Sequence, residues 1–414
     1  MSTSTFESAR RALRASVHDC RCRGLRVSAK WAAELLVHVS NRIEASGTAG
    51  SSASSPTAAP PTPVCDDALL AKSYFDLGEY RRAAHALERY RVGRIEGYAA
   101  RNASSAASRK PYDATACFLR GYALFLAGEK RKEEERVEQA SPLERFAVVN
   151  PHLEALDAEL RALCVDDGAP AEADGFILYL YAVVLKARER PDEARAALVR
   201  AVNANPLIWS AWSDLATLCA EKDVVEALSL NDHWMVSFFR VHALLDLQEN
   251  DAAGMECDKL IAIFGESPEL VGLSAHVEYN LRNFDAAQEK FEELFESLDP
   301  YRVEGLETYS NVLYVKEERA KLSHLAHRSL RNSKYRPETC CIIGNYYSMK
   351  SMHKRAVVYF KRALRLDRNC LSAWTLMGHE FVELKQTDAA VEAYRRAVDI
   401  DPHDFRAWYG LGQT

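Results

Sequence analysis

The chain has 414 residues, of which 48% are hydrophobic and 27% are charged, and its formal net charge is −6. This composition allows a large buried core and gives no electrostatic reason to expect nucleic acid or a membrane as a partner. No apolar run approaches the ~18 residues of a membrane span, and none resembles a signal peptide. The ten scattered cysteines are typical of reduced thiols. We therefore expect a protein of the nucleus and cytoplasm.

Composition and hydrophobic spacing predict four regions along the chain. Residues 1–45 form an N-terminal helical segment, and residues 46–65 form a disordered linker rich in Ser, Pro and Ala. Residues 66–165 hold divergent repeat-like helices with flexible insertions. Residues 174–414 form a regular helical array that is truncated in its last repeat.

The array repeats every 34 residues. Cys340, Trp374 and Trp408 are spaced at this interval, and glycines, alanines and aromatic residues follow in the same register. This is the W-x2-L-G-x2-Y…A-x3-F…P pattern of the tetratricopeptide repeat (TPR), a pair of antiparallel helices that must stack on its neighbours to bury its apolar face. The predicted fold is therefore all-α, a right-handed superhelical TPR solenoid of antiparallel helix pairs.

The repeat pattern also predicts which side chains form the core. Gly378 is expected to let the second helix of its repeat approach closely, and small alanines do the same from the partner helix. The last copy stops after half a repeat, so Trp408 and Leu411 should lack the helix that normally covers them, and we expect further repeats in a longer protein. The predicted core residues are Leu178, Ala182, Ala194, Trp212, Gly344, Tyr347, Ala356, Phe360, Trp374, Gly378, Phe381, Ala390, Tyr394, Ala397, Pro402 and Trp408.

No motif for catalysis or for binding a cofactor stands out. The chain lacks the phosphate-binding loops, the nucleophile elbow and the HExxH zinc motif. His324 and His327 share a helix face, but no further cysteine or histidine spacing completes four metal ligands. The sequence therefore predicts no catalytic residue, no cofactor and no metal, and we do not expect an enzyme.

The first helices of the repeats carry a second, polar stripe that is free to line the inner surface of the array. One position of this stripe offers amides and an imidazole for hydrogen bonds along an extended peptide, and neighbouring positions supply carboxylates suited to an arginine. The alternative is an ordinary solvated helix face. The predicted peptide-binding groove comprises Glu304, Glu307, Asn311, Glu338, Asn345, His379 and Gln413.

Three stretches carry a closer resemblance, namely 23–36, 298–330 and 335–414. They include the segments TYSNVLYVKE, ETCCIIGNYYS, AWTLMGHE and RAWYGLGQT, and they resemble the subunit 8 family of the anaphase-promoting complex, or cyclosome, a cell-cycle ubiquitin ligase. The resemblance is weakest from residue 45 to residue 117.

This resemblance implies a noncatalytic scaffold. It implies stacking with other TPR and scaffold subunits, homodimers formed through the N-terminal repeats, and a groove for short motifs of propeller-type coactivators. Two other readings remain open. The first is a TPR co-chaperone, which would need Lys or Arg beside the inner asparagines, where this chain has Glu. The second is the TPR superhelix of an O-linked sugar transferase, which would need a separate nucleotide-sugar domain after residue 414.

Overall fold

A computed structural model describes residues 3–29, 31, 32, 35, 36, 38, 39, 71, 72, 74–88, 114–138, 149–164, 174–219 and 221–414. The linker predicted over residues 46–65 lies outside these ranges. Every regular element of the described residues is helical. Contacts divide the chain into two compact units, Met1–Phe239 and Arg240–Thr414.

The helices are numbered in chain order. They are α1 (Thr3–Cys22), α2 (Tyr80–Ala86), α3 (Ala114–Glu138), α4 (Leu153–Cys164), α5 (Gly175–Ala187), α6 (Pro191–Ala204), α7 (Trp209–Thr217), α8 (Lys222–Glu226), α9 (Met235–Asp246), α10 (Asn250–Phe264), α11 (Pro268–Asn280), α12 (Phe284–Glu292) with a π-helical continuation (Glu293–Leu298), α13 (Leu306–Val315), α14 (Arg319–Ser333), α15 (Pro337–Met349), α16 (His353–Leu366), α17 (Leu371–Glu383), α18 (Thr387–Ile400) and α19 (Phe405–Gln413). None of these helices is both long enough and apolar enough to cross a bilayer.

Several helices begin at residues that satisfy their free backbone N–H groups. The Asp174 carboxylate accepts from the Phe176 N–H, and the Ser267 hydroxyl accepts from the Leu270 N–H. Proline occupies the first position of α6 and of α15, where its missing N–H costs no hydrogen bond. These capping residues and prolines therefore help to determine where the helices of the repeats begin.

In the first unit, the N-terminal residues pack on the first helices of the following repeats. The Trp31 ring stacks on Trp209 with a centroid distance of 4.9 Å and an interplanar angle of 7°. The Arg23 guanidinium lies 3.8 Å from the centroid of the Phe176 ring and forms an ion pair with Asp174 at 3.6 Å. Stacking and cation–π contact thus join the N-terminal segment to the repeats that follow it.

In the second unit, glycines bring paired helices into direct contact. A Cβ atom added at Gly378 would lie 2.5 Å from the Tyr394 ring, and one added at Gly344 would lie 2.4 Å from the Phe360 ring. The alanines at 356, 390 and 397 are fully buried on the opposing helices. Each aromatic ring therefore fills the space that the missing glycine side chain leaves open.

The turns between paired helices repeat a left-handed backbone residue. Glu317, Ser351 and Lys385 have φ values of 55°, 59° and 58°, and they are spaced at the repeat period. At the last of these turns the Gln386 N–H donates to the Phe381 carbonyl at 2.9 Å. A positive φ allows this C-terminal hydrogen bond, and it is costly for a residue that has a Cβ atom.

Two predicted core residues, Pro402 and Trp408, are exposed, and for them the prediction is corrected. Trp408 is 54% exposed because no helix of the described residues packs over its ring. Pro402 contributes through its backbone, since its carbonyl accepts from Trp408 Nε1 at 2.8 Å. The same bond recurs from Trp374 to Arg368 at 2.9 Å.

Candidate peptide-binding surface

Two of the predicted asparagines are bound to each other. Asn345 on α15 is only 2% exposed, and its Nδ2 donates to Asn311 Oδ1 on α13 at 2.8 Å and to Ser310 Oγ at 2.9 Å. These bonds hold the first helices of consecutive repeats at a defined spacing. Asn311 is only 9% exposed, so the asparagine pair contributes to packing between the two helices and does not form an exposed ladder.

Two carboxylates lie on the same pair of helices. Glu307 on α13 accepts from Ser372 Oγ of α17 at 3.3 Å, although 65 residues separate the two. Burial, followed by the charge of Glu338, raises the pKa of Glu307, while the Ser372 hydrogen bond opposes this shift. The charge of Arg406 also lowers the pKa of Glu307, so Glu307 has a nearby cation, whereas Glu338 Oε2 is buried without a hydrogen-bond partner among the described residues.

Within the second unit, a hydrogen bond also joins α19 to the end of α11. Arg406 Nη1 donates to the Tyr279 hydroxyl at 3.3 Å, and Arg406 Nε donates to Asp404 Oδ1 at 3.0 Å. Asp404 is itself buried and accepts from Thr375 Oγ1 at 3.0 Å. Polar residues of widely separated repeats thus meet within the second unit.

The three remaining predicted groove residues contact other parts of the second unit. His379 is exposed, and its Nδ1 is 2.7 Å from the Tyr394 hydroxyl. Gln413 Nε2 donates to the Tyr409 hydroxyl on the last helix. Glu304 lines a different cavity, described below. Of the seven predicted residues, the structure brings together Glu307, Asn311, Glu338 and Asn345.

A chain of polar contacts that was not predicted runs beside the asparagine pair, with Ser348 and Glu380 buried in its middle. The Tyr314 hydroxyl on α13 is 3.1 Å from Ser348 Oγ on α15. Ser348 Oγ donates to Glu380 Oε1 on α17 at 2.5 Å, and the Glu380 carboxylate also contacts His353 Nδ1 at 2.8 Å. The 34-residue spacing of Tyr314 and Ser348 could have indicated their contact, whereas Glu380 stands at a different register position and gave no signal.

A cavity of about 350 Å³ opens in the second unit near the π-helical turn. Its walls include an ion pair in which Arg302 Nη2 lies 2.6 Å from Glu269 Oε2, together with His242, His276 and Glu304. Burial lowers the pKa of His276 to about 4. His276 is therefore neutral at pH 7, and its ring meets the Phe291 ring edge-on at 5.6 Å.

Comparison with known proteins identifies the family. The family model for anaphase-promoting complex subunit 8/Cdc23 matches residues 8–275, and two tetratricopeptide repeat models match residues 337–370 and 378–414. The chain belongs to the subunit 8/Cdc23 family. The resemblance proposed from the sequence is thereby confirmed.

Relatives within the subunit 8/Cdc23 family match over most of this chain. The anaphase-promoting complex subunit 8 of Arabidopsis thaliana is 44% identical over 413 residues, which cover 92% of this chain and 67% of the relative. The subunit 8 of Dictyostelium discoideum is 37% identical, covering 91% of this chain and 68% of the relative. The cell division cycle protein 23 homolog of Homo sapiens is 41% identical over 74% of this chain and 47% of its own length. The chain thus spans between about half and two thirds of these family members.

A solved structure shares the fold. The crystal structure of an APC/C hetero-tetramer, Cut9-Hcn1, aligns with 97% of this chain and 68% of the matched chain, with a TM-score of 0.58 and 17% sequence identity. At this identity the match concerns the fold alone. Together with the repeat matches, it confirms the predicted all-α tetratricopeptide class.

Proposed function

We propose that this chain is a noncatalytic scaffold subunit of the anaphase-promoting complex, a cell-cycle ubiquitin ligase. It assembles with other TPR and scaffold subunits and holds short motifs of propeller-type coactivators on the inner face of its second unit. Membership of the subunit 8/Cdc23 family supports this proposal. The observation that carries the binding site is the acidic pair of Glu307 and Glu338 beside the asparagine pair.

The acidic pair favours a basic ligand. Glu338 Oε2 is buried without a partner among the described residues, and burial together with the second carboxylate raises the pKa of Glu307. A guanidinium placed between the two would form charge-assisted hydrogen bonds and relieve their repulsion. An arginine-containing peptide motif is therefore the ligand that matches this surface.

A peptide titration tests this site. A fluorescein-labelled peptide with a central arginine is titrated against the purified chain, and its affinity is measured by fluorescence anisotropy. Glu338→Gln and Glu307→Gln should each raise Kd by about tenfold or more, because a hydrogen bond to a charged group contributes roughly 1.5–3 kcal/mol. Glu383→Gln, on the exposed part of α17, is the matched control and should bind normally. An unchanged Kd in both site variants, with normal helical circular dichroism, would rule this surface out.

The charge of the surface separates this proposal from the co-chaperone alternative. A clamp for the terminal carboxylate of a chaperone requires cations at the inner positions that Glu307 and Glu338 occupy. An acidic C-terminal peptide should therefore fail to displace the arginine peptide in the same assay. Displacement by the acidic peptide at comparable concentration would favour the co-chaperone function.

The assembly role needs a separate measurement. We expect the full-length protein to co-purify with cullin-like and RING-like ligase subunits and to be found in the nucleus and cytoplasm. We also propose a homodimer formed through the N-terminal repeats of the first unit. Light scattering on the purified chain should give twice the monomer mass of 46.4 kDa, and a monomer at micromolar concentration would contradict the dimer.

A further inference from the structure

Two cysteines that are distant in sequence lie side by side in the second unit. Cys341 on α15 is fully buried, and its Sγ is 4.0 Å from Sγ of Cys370, the residue immediately before α17. The Glu307 carboxylate completes a group of three whose ligand atoms all lie within 4.8 Å of one another. The cysteines are 29 residues apart, so no metal-binding motif is visible in the sequence.

We propose that Cys341, Cys370 and Glu307 bind one zinc ion. Tetrahedral zinc with Zn–S bonds of ~2.3 Å separates two thiolate sulfurs by about 3.8 Å, close to the separation present here. A carboxylate oxygen is an accepted third ligand, and water fills the fourth position in sites with three protein ligands. The two sulfur atoms would therefore need to approach each other only slightly to bind zinc.

The surroundings favour a cation at this position. Glu307 and Glu338 carry negative charge close together, and Glu338 Oε2 is buried without a hydrogen-bond partner among the described residues. The hydrogen bond from Ser372 Oγ orients the Glu307 carboxylate, as outer-shell partners orient metal ligands.

Metal binding must displace protons from the thiols. A free thiol has a pKa of about 8.5, and the hydrogen bond with Cys370 and burial hold the pKa of Cys341 well above that range. Zinc coordinates thiolates, and its binding releases these protons. The affinity should therefore increase as the pH rises.

Cobalt(II) provides a direct probe. The purified chain, treated with a chelator and kept reduced, is titrated with Co²⁺ alone, and thiolate-to-cobalt charge-transfer absorption is recorded. We expect one ion per chain and full displacement by Zn²⁺. Changes to outer-shell partners alone cost about 10–100-fold in metal affinity, so removal of a direct ligand in Cys370→Ser or Glu307→Gln should weaken Co²⁺ binding by at least about tenfold. Cys257→Ser, which changes a buried cysteine of α10 outside the group, should leave the titration unchanged.

Three outcomes would overturn the proposal. The unmodified chain could show no absorption band, or the band could persist in Cys370→Ser. Cys257→Ser could also lose as much Co²⁺ affinity as Cys370→Ser does. Cys341→Ser is a further test if the variant keeps its helical circular dichroism. If it does not fold, the Cys370→Ser titration alone tests the proposal, because Cys370 is only half-buried. The proposal shares Glu307 with the peptide surface, but the titration contains no peptide. Glu338→Gln separates the two, since it should weaken the peptide and leave the stoichiometry of one metal ion unchanged.

Discussion

Asn345 Nδ2 donates to Asn311 Oδ1 at 2.8 Å, and the two residues are 34 positions apart. Each therefore occupies the same place in consecutive repeats, and a single side-chain bond joins neighbouring helix pairs. Because Asn345 is buried, this bond forms away from water, where an unmade hydrogen bond is costly. The polar stripe of this array consequently contributes to packing between repeats.

Replacing Asn345 tests this contribution. Asn345→Ala leaves the Asn311 carbonyl and the Ser310 hydroxyl without this partner, so we expect a loss of about 1–3 kcal/mol in the free energy of unfolding. Urea denaturation followed by circular dichroism measures the loss. Asn332→Ala, at an exposed position of α14, should change stability by less than about 0.5 kcal/mol. Equal effects in the two variants would show that the buried bond contributes nothing specific.

Gly378 and Gly412 occupy the same repeat position in different surroundings. A Cβ at Gly378 would collide with the Tyr394 ring, whereas one at Gly412 would meet nothing within 4 Å. Gly378→Ala should therefore destabilise the chain by about 1–3 kcal/mol. Gly412→Ala should be neutral or slightly stabilising, because alanine favours a helix. Thermal unfolding of both variants compares them directly, and a tolerated Gly378→Ala would contradict the close approach.

Lys385 adopts the left-handed conformation with φ 58°, which glycine adopts without steric cost. Lys385→Gly should raise the free energy of unfolding by about 0.5–1 kcal/mol, since the relief of strain exceeds the added entropy of the unfolded chain. Lys350→Gly is the matched control, because Lys350 has φ −90° and gains no such relief. In chemical denaturation, the unfolding midpoint of Lys385→Gly should lie above that of the unmodified chain, and the midpoint of Lys350→Gly should lie below it. A lower midpoint for Lys385→Gly would contradict this prediction.

His276 should make stability depend on pH. Burial lowers the pKa of His276 from 6.5 to about 4, with Glu269 opposing the shift and Arg302 and His242 adding to it. Between these pH values the unfolded chain binds a proton that the folded chain excludes, so stability is lost as the pH falls from 6.5 towards 4. The contribution is at most about 3 kcal/mol.

The variant His276→Gln isolates this contribution from the other titrating groups. Its free energy of unfolding should decrease less than that of the unmodified chain between pH 7 and pH 4.5, as measured by urea denaturation at each pH. Parallel pH profiles for the two proteins would show that His276 titrates normally.

The local architecture could be predicted from the sequence. The 34-residue register identified the helix pairs, and it placed Gly378 where the second helix of its repeat approaches closely. Helical packing within one repeat depends on residues close in sequence, so the sizes of those side chains determine how the two helices meet. The same register wrongly assigned Pro402 and Trp408 to the core, because it describes an average repeat and not the surroundings of the last helix.

Only the tertiary structure decided which polar residues of the stripe meet. The bond between Ser372 and Glu307 and the contact between Cys341 and Cys370 depend on how far each repeat rotates relative to the one before it. That rotation is the sum of many small packing differences between helix pairs, including the π-helical turn after α12, and periodicity carries no information about it. The sequence by itself therefore determined the repeating unit, and the accumulated rotation of the units brought the acidic and thiol groups together.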